Sequence, residues 1–326
     1  MIICISANPA IDRRLRVGEL RIGEVNRAKK DSSFAGGKAA HVAMAALALG
    51  ETDVTWIGVL GGATGEMIEH QLIKLGINVI SVWSAEPTRI NDEIIDGDGR
   101  ITEILEPGGG ITPEELHSFT ERCDDAFAAA GSEAVVAISG SLQPDMPVGL
   151  YGDLLDNARS YGARSILDTS GEPLRAAIGH SPDLIKPNSH EATSLVGVDD
   201  IRSPIESLAG LRGMGARDVA ISLGQLGALF STAGSSDAIA AVPPNVDVIS
   251  TVGCGDAMVA GFAVGMKRRM SEIQALRLAV ACGTANCLAD SPGKISLRDV
   301  ESLIPNIELE TVAIGQRPES DQNHAN

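Results

Sequence analysis

The sequence predicts an α/β fold, a mostly parallel sheet between helices with a small second sheet at its flank. Two observations predict it. Short β-branched runs alternate with longer amphipathic stretches, which is the pattern of a parallel sheet whose crossovers are helices. Two segments, 13–33 and 88–105, break that alternation and carry few helix signals.

Taken in order, strands are expected at IICIS (2–6), DVTWIGV (53–59), INVISVW (77–83), AVVAIS (134–139), RSILDT (164–169), DLIKP (183–187) and DVAISL (218–223). Helical patterns lie between them at 38–50, 65–76, 112–131 and 148–162. Thr112 followed by Pro113, Glu114 and Glu115 is a helix start with Thr112 as N-cap. Asp96-Gly97-Asp98-Gly99 reads as a hairpin turn between two alternating strands. The expected organisation is an α/β domain of 1–12, 34–87 and 106–306, a β layer of 13–33 and 88–105 able to cover a cleft, and a tail of 307–326. From 315 on the chain is polar and reads as disordered.

Composition excludes several functions. Net charge is −17, a field that repels nucleic acid and anionic membranes. Aromatic residues are 3% of the chain, too few for base-stacking platforms. No apolar run approaches the roughly 20 residues that span a bilayer. The start, MIICISANPAIDRR, has no basic segment before its apolar run and reads as a first strand, not a signal peptide. Five cysteines lack metal-ligand spacing and are too sparse for a disulfide scaffold, so reduced thiols in a cytoplasmic protein are expected.

The stretch STVGCGDAMVAG (250–261) raises the question of chemistry. Two glycines around a small residue suggest a turn that a β-carbon would obstruct. The apolar run after them reads as a buried helix, with Asp256 in its first turn beside free backbone N–H groups. Gly253, Cys254 and Gly255 would add their own amides to an anion pocket. A carboxylate there tolerates a phosphate only with a hydroxyl between them, the layout for phosphoryl transfer to an alcohol. A capped core helix with a dipole-complementing aspartate explains the same string. There is no G-x-x-x-x-G-K-[ST], and no strand-linked G-x-G-x-x-G opens a helix early in the chain.

Ten motifs in order then carry a resemblance: NPAID (8–12), GEVNR (23–27), AGGK with HVA (35–38, 41–43), GGATGE (61–66), TRIN (88–91), SGSLQP (139–144), DTSGEPL (168–174), KPNSHE (186–191), SLGQLGAL (222–229) and STVGCGDAMVAG (250–261). Together they resemble the ribokinase/PfkB carbohydrate kinases, in the branch acting on phosphorylated ketohexoses, over the chain to about Leu303. The resemblance implies a ribokinase-like fold with a small β lid through which a homodimer can form. It implies Asp256 as catalytic base and Gly253, Cys254 and Gly255 as the anion hole. Lys186, Asn188, Glu191, Ser222, Gly224 and Gly283 match nucleotide-binding positions, with Asn188 and Glu191 organising Mg²⁺ through water. Asn188 and Glu191 read equally as a capping box. Asp12 matches the residue that holds sugar hydroxyls, and also fits a turn after Asn-Pro. Gly37, Lys38, His41 and Ser139 complete the substrate side. Arg27, Lys38 and Arg89 are the cations for a phosphate already on the sugar; solvated charge on the lid is the plain alternative.

Two stretches depart from the family pattern. The usual Gly-Gly-Lys-Gly-Ile-Asn-Val-Ala becomes Gly36-Gly37-Lys38-Ala39-Ala40-His41-Val42-Ala43, with His41 in place of an asparagine that contacts sugar hydroxyls. Cys254 replaces the alanine of Gly-Ala-Gly-Asp; a small side chain tolerated in place of a methyl is the simpler reading, and a thiol at a helix N-terminus, which tends toward a lowered pKa, would instead predict alkylation or oxidation slowed by ATP. The expectation is ATP- and Mg²⁺-dependent phosphorylation of fructose 1-phosphate, fructose 6-phosphate or tagatose 6-phosphate to a bisphosphate. A kinase for an unphosphorylated sugar or nucleoside, and a non-catalytic sugar-phosphate sensor, are the alternatives.

Overall fold

The computed structural model describes residues 1–197 and 204–314. Its strands are β1 (Ile2–Ser6), β2 (Ala10–Arg16), β3 (Lys30–Gly36), β4 (Val54–Leu60), β5 (Asn78–Trp83), β6 (Arg89–Ile95), β7 (Ile101–Leu105), β8 (Val135–Ser139), β9 (Arg164–Asp168), β10 (Leu184–Ile185), β11 (Asp218–Ser222), β12 (Ala228–Ser231), β13 (Asp237–Val242) and β14 (Glu308–Ala313). Its α-helices are α1 (Lys38–Ala48), α2 (Gly62–Leu75), α3 (Pro113–Ala130), α4 (Leu150–Ser160), α5 (Gly171–Ile178), α6 (Ser189–Val196), α7 (Pro204–Gly213), α8 (Cys254–Lys267), α9 (Glu272–Cys287) and α10 (Leu297–Leu303).

Ten strands form one sheet in the order β14-β13-β12-β11-β10-β9-β8-β1-β4-β5. From β5 to β11 every pairing is parallel. Strands β12, β13 and β14 extend that edge antiparallel. The chain leaves β1 toward β4 on one side and returns to β8 on the other, so the strand order reverses at β1. Ligands in open α/β sheets bind outside the carboxyl ends of strands near such a reversal.

Side-chain alternation splits the core in two. Ile2 and Cys4 of β1 face α1, α8 and α9, whereas Ile3 and Ile5 face α3, α4 and α5. The period of two sends successive residues to opposite faces, and both faces are covered by helices, so every residue of β1 is buried. The helix starts follow local chemistry. Thr112 accepts from Glu115 N and Glu115 reaches back to Thr112 N, and Ser271 with Gln274 does the same for α9. Helices α8 and α9 pack with backbones in contact, because a β-carbon on Gly261 would stand 2.5 Å from the Ala279 Cα.

The two segments that break the alternation lie in a second sheet, ordered β3-β2-β6-β7. Its strands β2 and β3 begin and end closer to the large sheet than 13–33 suggests. Cross-strand ion pairs hold it: Arg13 bonds Asp92, and buried Arg14 bonds buried Glu93, each pair in register on β2 and β6. Asp96 closes the β6–β7 hairpin by accepting from the Asp98 and Arg100 amides.

One expectation needs correction. Residues 308–313, read as tail, are edge strand β14, paired with β13 throughout. An edge strand that faces solvent needs few apolar residues, so its composition resembles that of a tail. The stretch expected to be disordered, 315–326, lies outside the described residues. Among the described residues no helix is long and apolar enough to cross a membrane.

Candidate active site

The carboxyl ends of β1, β8, β9, β10 and β11 deliver Asn8, Ser139, Asp168, Lys186 and Ser222 to one end of the large sheet. Helix α8 starts there. Its N-cap, Gly253, has φ 80°, a left-handed conformation that L side chains rarely adopt, and a β-carbon would also meet Pro292 at 2.6 Å. The turn sets Asp256 in the first turn of α8, 6% exposed, and the Cys254 amide donates back to Thr251 O at 3.4 Å.

Asp256 is not alone. Its Oδ2 lies 2.8 Å from His41 Nδ1, and His41 Nε2 lies 3.0 Å from Asp12 Oδ2. The second contact is an ion pair without the alignment of a hydrogen bond. Burial alone would lower the His41 pKa, but the carboxylates of Asp12 and Asp256 raise it to about 10. The imidazolium thus lets two buried carboxylates share a site. Asp12 is further held by Asn91 Nδ2, at 3.1 Å, and by the Gly37 amide, at 3.4 Å. Gly36 makes room for it, since a β-carbon there would fall 2.2 Å from the Asp12 carboxyl carbon.

A second cluster surrounds Asp168, which closes β9 and is buried. Its Oδ1 lies 3.4 Å from both Lys38 Nζ and Lys186 Nζ. Burial would raise the Asp168 pKa, and Lys186 and Lys38 more than offset that, so it is held below the usual carboxylate range. Burial would likewise lower the Lys38 pKa, and Asp168, Asp256 and Glu191 together raise it. Lys186 points at the anion loop: a β-carbon on Gly255 would stand 3.2 Å from its Nζ. Asp168 Oδ2, Thr169 Oγ1 and Ser139 Oγ are buried without a hydrogen-bond partner, and Ser139 and Asp168 are register neighbours on β8 and β9. Orphaned polar atoms grouped at strand ends mark a place where a ligand completes the bonding.

On the other side of Gly255 lies a cavity of about 460 Å³. Ser222, Gly224, Cys254, Gly255 and Gly283, five of the residues singled out from the sequence, line it together. Met258 and Val280 give it an apolar wall. Asn188 and Glu191 lie one strand away, where Asn188 bridges to Ser222. They form the capping box of α6, with Asn188 Oδ1 accepting from Glu191 N and Glu191 Oε2 accepting from Asn188 N, both at 2.8 Å. Glu191 Oε1 takes no part in that box.

Two residues differ from the others in their surroundings. Arg27 is exposed in the segment between β2 and β3 and makes no hydrogen bond or ion pair among the described residues. Cys254 does not carry a lowered pKa. Its Sγ lies 3.3 Å from Cys287 Sγ, and that S–H contact with burial pushes the Cys254 thiol up, while it holds the Cys287 thiol down, at about 7. Arg89 is at the site but engaged: Nη1 donates to Glu106 O and Nη2 to Asn8 O, which leaves a buried Nε without a partner. Two residues sat inside quoted motifs without being singled out, Asp168 in DTSGEPL and Asn91 in TRIN. An aspartate ending an apolar strand run was the available signal for the first.

The arrangement gathers the Asp256 carboxylate, the Lys38 and Lys186 ammonium groups and the start of α8 at one end of the large sheet. The family model for pfkB family carbohydrate kinases matches residues 1–297. The chain belongs to this family. The 1-phosphofructokinase of Escherichia coli strain K12 is 35% identical to this pfkB kinase over 298 residues, 90% of this chain and 92% of that protein. The 1-phosphofructokinase of Bacillus subtilis strain 168 is 29% identical over 311 residues, 95% and 99% of the two chains. The structure of phosphofructokinase-2 from E. coli in complex with fructose-6-phosphate superposes with a TM-score of 0.82 at 28% identity, covering 94% of this chain and 98% of that one. As a pfkB family kinase, the protein is a phosphotransferase with an alcohol acceptor, and its relatives put it in the phosphofructokinase branch.

Proposed function

We propose that the enzyme transfers the γ-phosphate of ATP to a hydroxyl of a ketohexose phosphate, giving a bisphosphate. Fructose 1-phosphate, fructose 6-phosphate and tagatose 6-phosphate are the acceptors of the right class. The observation that carries this reading is buried Asp256 in the first turn of α8, directly after Gly255, where a β-carbon would stand 3.2 Å from the Lys186 ammonium.

Oδ2 of Asp256 is taken by His41, which leaves Oδ1 to accept the acceptor hydroxyl's proton. The amides at the start of α8 and the Lys186 ammonium face the phosphoryl oxygens and stabilise their charge. Asp168 holds Lys186 and Lys38 in place between turnovers. Asp12, steadied by Asn91, orients the sugar. The cavity beyond Gly255 receives the nucleotide, its base against Met258 and Val280 and its phosphates toward the loop.

Glu191 Oε1 and Asn188 suit a Mg²⁺ ion held through water, since this ion keeps several waters and needs few protein carboxylates. Bound with the nucleotide, Mg²⁺ supplies charge neutralisation on the phosphates. The second sheet, β3-β2-β6-β7, closes over the sugar as a lid and limits hydrolysis by excluding water. Arg89 Nε and Ser139 Oγ are the unfilled donors for the sugar's own phosphate. The names of the relatives agree with a phosphorylated hexose.

One observation favours a kinase for an unphosphorylated sugar: two Arg89 nitrogens are already bonded to carbonyls. A panel of the three sugar phosphates, fructose, tagatose and a nucleoside, assayed with ATP·Mg and the position of the new phosphate mapped, separates the readings. Turnover of a ketohexose phosphate to a bisphosphate is expected. Turnover confined to neutral acceptors would overturn the substrate class.

A further inference from the structure

We propose that Cys254 and Cys287 form a covalent modification site, a dithiol inside the nucleotide cavity that a hydroperoxide converts to a disulfide. Their Sγ atoms stand 3.3 Å apart although the residues are 33 positions apart in the chain. Cys254 opens α8 and Cys287 closes α9. The two helices fix this meeting. Gly261 and Gly265 of α8 are packed so closely on α9 that a β-carbon at either would lie under 3 Å from Ala279 or Ala275. Both thiols line the cavity and are partly exposed, so a small oxidant reaches them. The other three cysteines are buried, and desolvation pushes their thiols up, Cys4 to about 12. They serve as internal controls.

The chemistry balances with hydrogen peroxide as the oxidant. The Cys287 thiolate, favoured by the S–H group of Cys254, attacks one peroxide oxygen, and the O–O bond breaks to give a sulfenic acid and hydroxide. The Cys254 sulfur then attacks the sulfenic sulfur. The S–O bond breaks, the thiol proton leaves with the oxygen as water, and the S–S bond forms. Two electrons pass from the sulfur pair to the peroxide.

The consequence rests on the cavity being the nucleotide site. A disulfide is about 2.05 Å long, so the contact must shorten by about 1.3 Å. That movement is taken up where Cys254 carries the anion loop, beside Gly255 and Asp256. A misplacement of this size next to the reacting groups costs up to about 10²-fold in rate. Nucleotide in the cavity covers both sulfurs and slows their oxidation.

The test treats the reduced full-length chain with hydrogen peroxide, with and without ATP·Mg, and quenches with iodoacetamide. The expected product is lighter by about 2 Da, the mass of two hydrogens, and yields a Cys254–Cys287 linked peptide. Kinase activity should fall tenfold or more, in step with the link, and return with dithiothreitol. ATP·Mg should slow the link. Cys287→Ser should give no link, and Cys254→Ala should stop at an oxygen adduct on Cys287. Both thiols remaining alkylatable at a peroxide dose that oxidises glutathione would overturn the site. A link formed without loss of activity would overturn its placement at the nucleotide. The linked peptide is read by mass alone, so an inert sugar panel would count against the kinase reading and leave the thiol pair standing.

Discussion

His41 Nδ1 stands 2.8 Å from Asp256 Oδ2, so the residue expected to touch the sugar instead touches the expected base. The ring spans two carboxylates 244 positions apart, Asp12 and Asp256. The ring fixes one oxygen of each and shapes the space left for the acceptor.

Loss of the base is the most direct check. Asp256→Asn keeps the size of the side chain and its contact with His41 but cannot take a proton. We expect kcat to fall by about 10²-fold or more, with the KM for nucleotide little changed. Steady-state kinetics on the productive acceptor measures both.

The imidazolium should leave a mark on stability. The folded pKa of His41, about 10, lies above its ordinary value of 6.5. Its contribution is therefore complete below pH 6.5 and lost as pH rises through 10. Between those limits stability should decline by at most about 1.4 kcal/mol per pH unit from this group. Urea unfolding of wild type and His41→Asn across that range tests it: the variant should lose that slope. Equal slopes would mean that the ring is not charged between Asp12 and Asp256.

Asp168 is expected to be structural and functional at once. Asp168→Ala leaves Lys186, whose side chain is 4% exposed, without its counter-charge. Breaking a buried pair in this way costs about 3–5 kcal/mol, read as a lowered urea midpoint. In wild type the depressed Asp168 pKa works in the opposite sense to His41. Its contribution is present above its ordinary value of 3.8 and lost as pH falls through the folded value.

Arg89 decides between phosphorylated and neutral sugars. If Nε and a rearranged Nη meet the sugar's phosphate, Arg89→Ala removes charge-assisted hydrogen bonds worth about 1.5–3 kcal/mol. KM for the sugar phosphate should then rise tenfold or more, while KM for nucleotide holds. An unchanged KM would point to an acceptor without a phosphate.

Local chemistry wrote much of this protein legibly. The β-branched runs of β1, β4 and β8 are strands because both sheet faces are covered, and the capping residues Thr112 and Asn188 start the helices that their spacing predicts. Gly253 and Gly255 place Asp256 in a first helical turn, a matter of a few backbone angles that sequence alone determines. Those effects act over a handful of residues. The tertiary structure decided who meets whom. His41 reaches Asp256 across 215 positions, Asp168 gathers two lysines from separate elements, and Cys287 meets Cys254 across 33 positions. Such contacts follow from strand order and helix packing, which bring distant segments together at the ends of the parallel strands, and neither periodicity nor motif spacing carries that information.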